Sequence, residues 1–128
     1  MEEKKRILIV DDEKGFTSML QLNLESMGEY EVRVENRPEH ALQTALQFLP
    51  HIILLDVIMP NVEGPDVANI FHTSKELKEV PIIFLTATIT KDEVDAQSGR
   101  IGGHCFVAKP SSLSDLTSSI KRNLMPAF

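Results

Sequence analysis

At 128 residues the chain has the size of one domain, long enough for a substantial core and too short for two. Apolar residues make up 42% and charged ones 25%, and the longest apolar runs, Ile52 to Leu55 and Ile82 to Leu85, fit buried strands and fall far short of a membrane span. The net charge of −6, from 13 Lys and Arg against 19 Asp and Glu, argues against a direct role on nucleic acid, which needs a basic face to displace counterions.

The N-terminus, Met1-Glu2-Glu3-Lys4-Lys5-Arg6, leads directly into an apolar run without a signal-peptide pattern, so a cytosolic location is expected. Cys105 is the one cysteine, which rules out an internal disulfide and suits a reducing compartment; its apolar neighbours predict a packed thiol.

Apolar runs alternate with helical patterns along the whole chain. Arg6 to Val10 reads as a strand buried on both faces, followed by a helix from about Lys14 to Met27 with Phe16, Leu20, Leu24 and Met27 on one side and Gly28 as its stop. Tyr30 to Glu35 alternates strictly, which predicts a strand with one face in water, at the sheet edge. Pro38 suits the first turn of a second helix carrying Ala41, Leu42, Ala45, Leu46 and Leu49, with Pro50 after its end. Ile52 to Leu55 predicts a central third strand. Gly64-Pro65 opens a third helix with Val67, Ala68, Ile70, Phe71 and Leu77, and Pro81 introduces a fourth strand, Ile82 to Thr86. Thr90 with Glu93 forms a capping-box pattern for a fourth helix that has few apolar positions beyond Val94 and Ala96. Gly102-Gly103 leads into a fifth strand, His104 to Ala108. Ser112 with Asp115 caps a fifth helix striped by Leu113, Leu116, Ile120 and Leu124, with Lys121 and Arg122 at its C-terminal end, where the dipole favours cations.

Five strand–helix pairs in succession predict an α/β fold, a doubly wound parallel sheet with helices on both faces. An amphipathic second strand belongs at an edge, which selects the flavodoxin-like (βα)5 order 2-1-3-4-5 over a barrel and places a crevice where strands 1 and 3 diverge. With no linker, repeat or low-complexity stretch, residues 1–128 are expected to form a single domain with its core at about 5–124.

The strand ends carry the chemistry. Strand 1 ends in Asp11-Asp12, strand 3 in Asp56, strand 4 in Thr86 and strand 5 in Lys109; strand 2 contributes nothing. Asp is also a common turn residue, Thr ends many strands, and Lys is usually solvated, so each position alone has an ordinary structural explanation. Gathered in one crevice, three carboxylates would repel one another unless a cation intervened. Few carboxylates with water completing the shell suit Mg2+; Ca2+ lacks a loop supplying six to eight oxygens, and His40, His51, His72 and His104 are too scattered for Zn2+. A carboxylate nucleophile, a hydroxyl, a lysine and such a metal are equipment for phosphoryl transfer. No Gly-rich phosphate loop follows strand 1, which argues against a nucleotide or flavin site.

Ile-Leu-Ile-Val-Asp-Asp-Glu (7–13), Leu-Leu-Asp-Val-Ile-Met-Pro-Asn-Val-Glu-Gly (54–64), Phe-Leu-Thr-Ala (84–87) and Val-Ala-Lys-Pro (107–110) resemble the CheY-like receiver domains of two-component response regulators, over roughly residues 5 to 124. The resemblance implies a phosphorylation-operated switch that is not an enzyme in its own right beyond its own phosphorylation and dephosphorylation. Asp56 would take a phosphoryl group from a histidine kinase or a phosphotransfer protein; Asp11, Asp12, Asp56 and the backbone carbonyl of Ile58 would hold Mg2+; Lys109 and Thr86 would meet phosphoryl oxygens. Thr86 and Phe106 would be the switch pair, acting on a surface of the fourth helix, fifth strand and fifth helix that a partner or a second copy of the domain would read. Phe106 lacks the hydroxyl of the common tyrosine, Ile58 is apolar where many relatives are polar, Thr88 is small, and Gly102-Gly103 replaces the commoner Gly-Ala. Two alternatives stay open at this stage: a receiver-like interaction scaffold without phosphotransfer, and a metal-dependent phosphohydrolase with Asp11 as nucleophile. The sequence does not identify the output, the cognate kinase, the oligomeric state, the phosphoryl lifetime, or whether the chain is stand-alone or part of a longer protein.

Overall fold

Ile7, Leu8, Ile9 and Val10 are all fully buried, and this lack of alternation follows from helices covering both sides of the strand they form. The computed structural model describes residues 4–56, 58–59, 62–86, 100–101, 104–108 and 113–124, with backbone alone at 58–59, 62–66, 86, 100–101, 104–106 and 108. In chain order the elements are β1 (Lys5–Val10), α1 (Lys14–Glu25), β2 (Tyr30–Glu35), a 3-10 turn (Pro38–His40), α2 (Ala41–Phe48), β3 (Ile52–Asp56), β4 (Ile58–Met59), β5 (Val62–Glu63), α3 (Gly64–His72), β6 (Ile82–Thr86), β7 (Arg100–Ile101), β8 (His104–Ala108) and α4 (Leu113–Leu124). The last is the fifth helix of the sequence reading; the fourth, expected from Thr90, lies outside the described residues, as does the Ser112 cap.

The main sheet runs β2-β1-β3-β6-β8-β7. Its first five members pair in parallel and reproduce the flavodoxin-like order 2-1-3-4-5, with the alternating strand β2 at the edge. Two features were not expected. β7 pairs antiparallel with β8, joining Arg100 to Cys105 and Ile101 to His104, so β8 is not the edge. A second, two-stranded sheet, β4 with β5, follows β3 and pairs Ile58 with Glu63 and Met59 with Val62.

The pleat sorts the core into two layers. On one face Ile7, Ile9, Ile52, Leu54, Ile83, Leu85 and Val107 meet Leu20 and Leu24 of α1 and Leu116 and Ile120 of α4. On the other, Leu8, Val10, Ile53, Leu55 and Phe84 meet Ala41, Ala45 and Phe48 of α2 and Val67, Ala68 and Phe71 of α3, with Leu77 beyond the helix. This is the doubly wound arrangement, and it leaves the carboxyl ends of the parallel strands free to carry a site.

Three stripe assignments need correction. α1 ends at Glu25 and Gly28 turns with φ +79°, which carries Met27 off the helix face and leaves it exposed. In α2, Ala41, Ala45 and Phe48 point inward while Leu46 faces water. Leu49 takes the left-handed C-cap conformation, φ 52°, its N–H donating to the Ala45 carbonyl at 2.8 Å, and its side chain leaves the stripe. Ile70 of α3 is likewise exposed, beside the buried Phe71.

Candidate metal and phosphoacceptor site

Register alone assembles the site. Val10 of β1 lies beside Leu55 of β3, so the next residues, Asp11 and Asp56, emerge side by side. Asp56 lies beside Leu85 of β6, one residue before Thr86, and Thr86 lies beside Ala108 of β8, one residue before Lys109. The carboxyl edge of the sheet thus presents the strand tips in the sequence's expected order. Lys109 itself lies outside the described residues, as do the side chains of Thr86, Phe106, Ile58 and Cys105; for these four the structure gives strand membership alone.

Oxygen atoms of Asp11, Asp12 and Asp56, one from each carboxylate, all lie within 4.8 Å of one another. Asp11 is fully buried, Asp56 is 6% exposed, and Asp12 reaches solvent. The turn that achieves this is local: the Asp11 carboxylate accepts the backbone N–H of Glu13 at 2.9 Å, closing an Asx-type turn that swings the chain out of β1 toward α1. Glu13 then serves as the N-cap position of α1 without a side-chain cap of its own.

At such separations each carboxylate pair repels by roughly 3 kcal/mol or more at an effective dielectric of about 20. Two of the three are withdrawn from water, which weakens screening further. A cluster of this kind is stabilised by a cation, and its all-oxygen donor set fits a hard divalent ion such as Mg2+. Among the described residues it is the one grouping of three or more His, Cys, Asp and Glu side chains with metal-binding geometry, and no histidine belongs to it.

Strand β2 places no residue in the acidic cluster, but the residue just past its end supports the cluster's backbone. Asn36, just past β2, donates its side-chain amide to the Asp11 carbonyl at 2.8 Å and to the Thr17 hydroxyl at 3.0 Å. Thr17 is buried on α1, and its own hydroxyl lies 3.1 Å from the Lys14 carbonyl as donor. An Asn after an edge strand is the sole sequence signal, and ordinary turn chemistry would explain it equally well.

A parallel five-stranded sheet with this acidic crevice defines a class, and comparison with known proteins names it. The chain matches the response regulator receiver domain over residues 7–121. It belongs to that family, the phosphorylation-dependent signalling domains of two-component response regulators, which interact with histidine kinases or phosphotransfer proteins and typically bind Mg2+ at an acidic pocket. It is 35% identical over 118 residues to the alkaline phosphatase synthesis transcriptional regulatory protein PhoP of Bacillus subtilis (strain 168), a match covering 91% of this chain and 47% of that protein. The chain therefore spans about half the length of this curated relative. Among solved structures it is similar to chemotaxis protein CheY4 of Vibrio cholerae, with TM-score 0.80, 26% identity and coverage of 95% of this chain and 100% of that one. It is also similar to a CheY-like receiver domain protein from Methanospirillum hungatei JF-1, with TM-score 0.78, 26% identity and coverage of 95% and 94%. Among the described residues no helix is long and apolar enough to cross a membrane.

Proposed function

We propose that residues 1–128 form a single receiver domain that accepts a phosphoryl group on Asp56 from the phosphohistidine of a sensor kinase or phosphotransfer protein. The observation that carries this reading is the convergence of the Asp11, Asp12 and Asp56 carboxylates within 4.8 Å. Asp11, Asp12 and Asp56, with the Ile58 backbone carbonyl, would hold Mg2+. When bound, the ion offsets negative charge on the carboxylates and on the incoming phosphoryl oxygens. A carboxylate oxygen of Asp56 attacks phosphorus in line, the P–N bond to the donor imidazole breaks, and the imidazole nitrogen keeps the electron pair and takes up a proton. Lys109 offers an ammonium to one phosphoryl oxygen and Thr86 a hydroxyl to another.

The new group brings about −1.5 to −2 charge and three acceptor oxygens. Lys109 and Thr86 then have partners in one state that they lack in the other, which is the differential contact a two-state switch requires. Phe106 follows Thr86, and the surface of β8, α4 and the fourth helix expected from the Thr90 capping pattern changes for a partner or for a second copy of the domain. The chain catalyses its own phosphorylation and dephosphorylation only, and it works in the cytosol.

The test is acetyl phosphate with Mg2+, followed by peptide mapping of the modified protein. The wild-type chain should carry one acyl phosphate on the peptide containing Asp56, and Asp56→Asn should carry none. A stable adduct retained on Asp56→Asn, or placed on another peptide, would remove Asp56 from this role.

A further inference from the structure

We infer that Asn36 and Thr17 are positioning residues of the acidic pocket, holding the Asp11 backbone so that the Asp11 and Asp12 carboxylates stay turned toward Asp56. This inference rests on the reading of the three carboxylates as a Mg2+ pocket.

In a parallel pair, one residue of a strand bonds through both its N–H and its C=O to two residues of its neighbour, two apart in sequence. β1 and β2 follow this pattern to its last rung. The Asp11 N–H donates to the Glu35 carbonyl at 3.2 Å, so the next rung would bring the Arg37 N–H to the Asp11 carbonyl. That rung is not made by the backbone. The Arg37 N–H turns away and donates to the Glu35 carboxylate at 3.0 Å, as the chain leaves the sheet for the turn beginning at Pro38. The Asn36 amide takes the vacated place on the Asp11 carbonyl at 2.8 Å. A side chain thereby extends the ladder one residue past the end of the strand, to the first residue of the pocket.

The second amide bond gives this extension an anchor. Asn36 also donates to the Thr17 hydroxyl, and Thr17 is 1% exposed on the inner side of α1. The loop from Asp11 to Lys14, which contains Asp12, is therefore tied down from both ends: at Asp11 by Asn36 and at Lys14 by the hydroxyl of Thr17. Carboxylates that repel one another need such restraint, because a free loop would relax by moving Asp12 away from Asp11 and Asp56. Restraint of this kind acts on ion affinity and not on the chemistry at Asp56.

The test measures the Mg2+ concentration giving half-maximal phosphorylation by acetyl phosphate, and the rate at saturating Mg2+, on the full chain. Partners outside the ligand shell typically change metal affinity by about 10–100-fold. Asn36→Ala should raise the Mg2+ midpoint by about tenfold while the saturated rate stays near wild type. Thr17→Val, an apolar replacement of similar shape, should raise it by a smaller factor, and Thr17→Ser should restore the wild-type midpoint. Ile120→Val, a buried change on α4 away from the pocket, should lower the melting temperature without moving the midpoint. If Asn36→Ala does not fold, the Thr17 pair decides alone. An unchanged midpoint in Asn36→Ala, or in Thr17→Val where it must decide, overturns the inference while leaving the pocket intact. A midpoint that moves equally in Ile120→Val overturns it by reducing the effect to general loosening. A wild-type chain whose phosphorylation ignores Mg2+ overturns the pocket reading, and the inference with it.

Discussion

Asp11 and Asp56 are 45 residues apart in sequence, yet each is the first residue beyond a registered pair, Val10 with Leu55, on adjacent parallel strands. Their separation in space is set by the sheet and cannot relax without breaking it. The pocket is thus a place where the fold holds like charges together.

A consequence is that the cation-free protein should be destabilised by its own site. Asp56→Asn keeps the shape of the side chain and removes one charge from a 6% exposed position. In buffer containing a chelator it should be more stable than wild type, by about 1–3 kcal/mol after screening. Denaturant midpoints for the two proteins would show this, and a less stable mutant would mean that Asp56 is held by favourable bonds that outweigh the repulsion.

Mg2+ should narrow that gap. An ion bound to the native state alone stabilises it by about 1.4 kcal/mol at tenfold its Kd, or about 4–6 °C in melting temperature for a domain of this size. Wild type should gain this increment and lose it again on chelation, while Asp12→Ala and Asp56→Asn should gain little. Equal gains in all three proteins would place the ion elsewhere.

Two glycines should respond oppositely to the same substitution. Gly28 holds φ +79° at the end of α1, and an added Cβ would meet nothing within 4 Å, so backbone strain is the whole cost of Gly28→Ala, about 1 kcal/mol. Gly15 lies in the first turn of α1 with equally open space and an ordinary φ, so Gly15→Ala should stabilise by roughly 0.5–1 kcal/mol through helix propensity. Urea unfolding of the two variants gives the signs directly.

Tyr30 supplies a pH dependence. Burial first, and the charge of Glu29 second, push its phenol above the ordinary value of 10.0. The native state then keeps a proton that the unfolded chain has released, so stability is fully present below about pH 10 and falls as pH rises through the native pKa. It is the one tyrosine in a chain without tryptophan, so tyrosinate absorbance reports it alone. Native titration at or below 10 would contradict this, and Tyr30→Phe should flatten the alkaline loss.

Much of the fold was legible because the pleat leaves a period-two record. The strict alternation of Tyr30 to Glu35 placed β2 at the edge, and the unbroken run Ile7 to Val10 placed β1 inside. Helix phase is less legible in α2, where the apolar residues come as adjacent pairs, Ala41-Leu42, Ala45-Leu46 and Phe48-Leu49, so that either member fits the helical period. The strands β4, β5 and β7 have two residues each, too few for any periodicity. At the site, the carboxylates were readable as strand-end residues. The bond from Asn36 to Asp11 crosses 25 positions and leaves no pattern in the sequence.

If the three carboxylates form a cation pocket before any phosphate arrives, they should take up Mg2+ on their own. Backbone amide NMR during an Mg2+ titration tests it most directly. Saturable shifts concentrated at Asp11, Asp12, Glu13 and Asp56, which fit one Kd and disappear with chelator, are expected. Shifts that never saturate, or that centre on residues away from the carboxyl edge of the sheet, would contradict it.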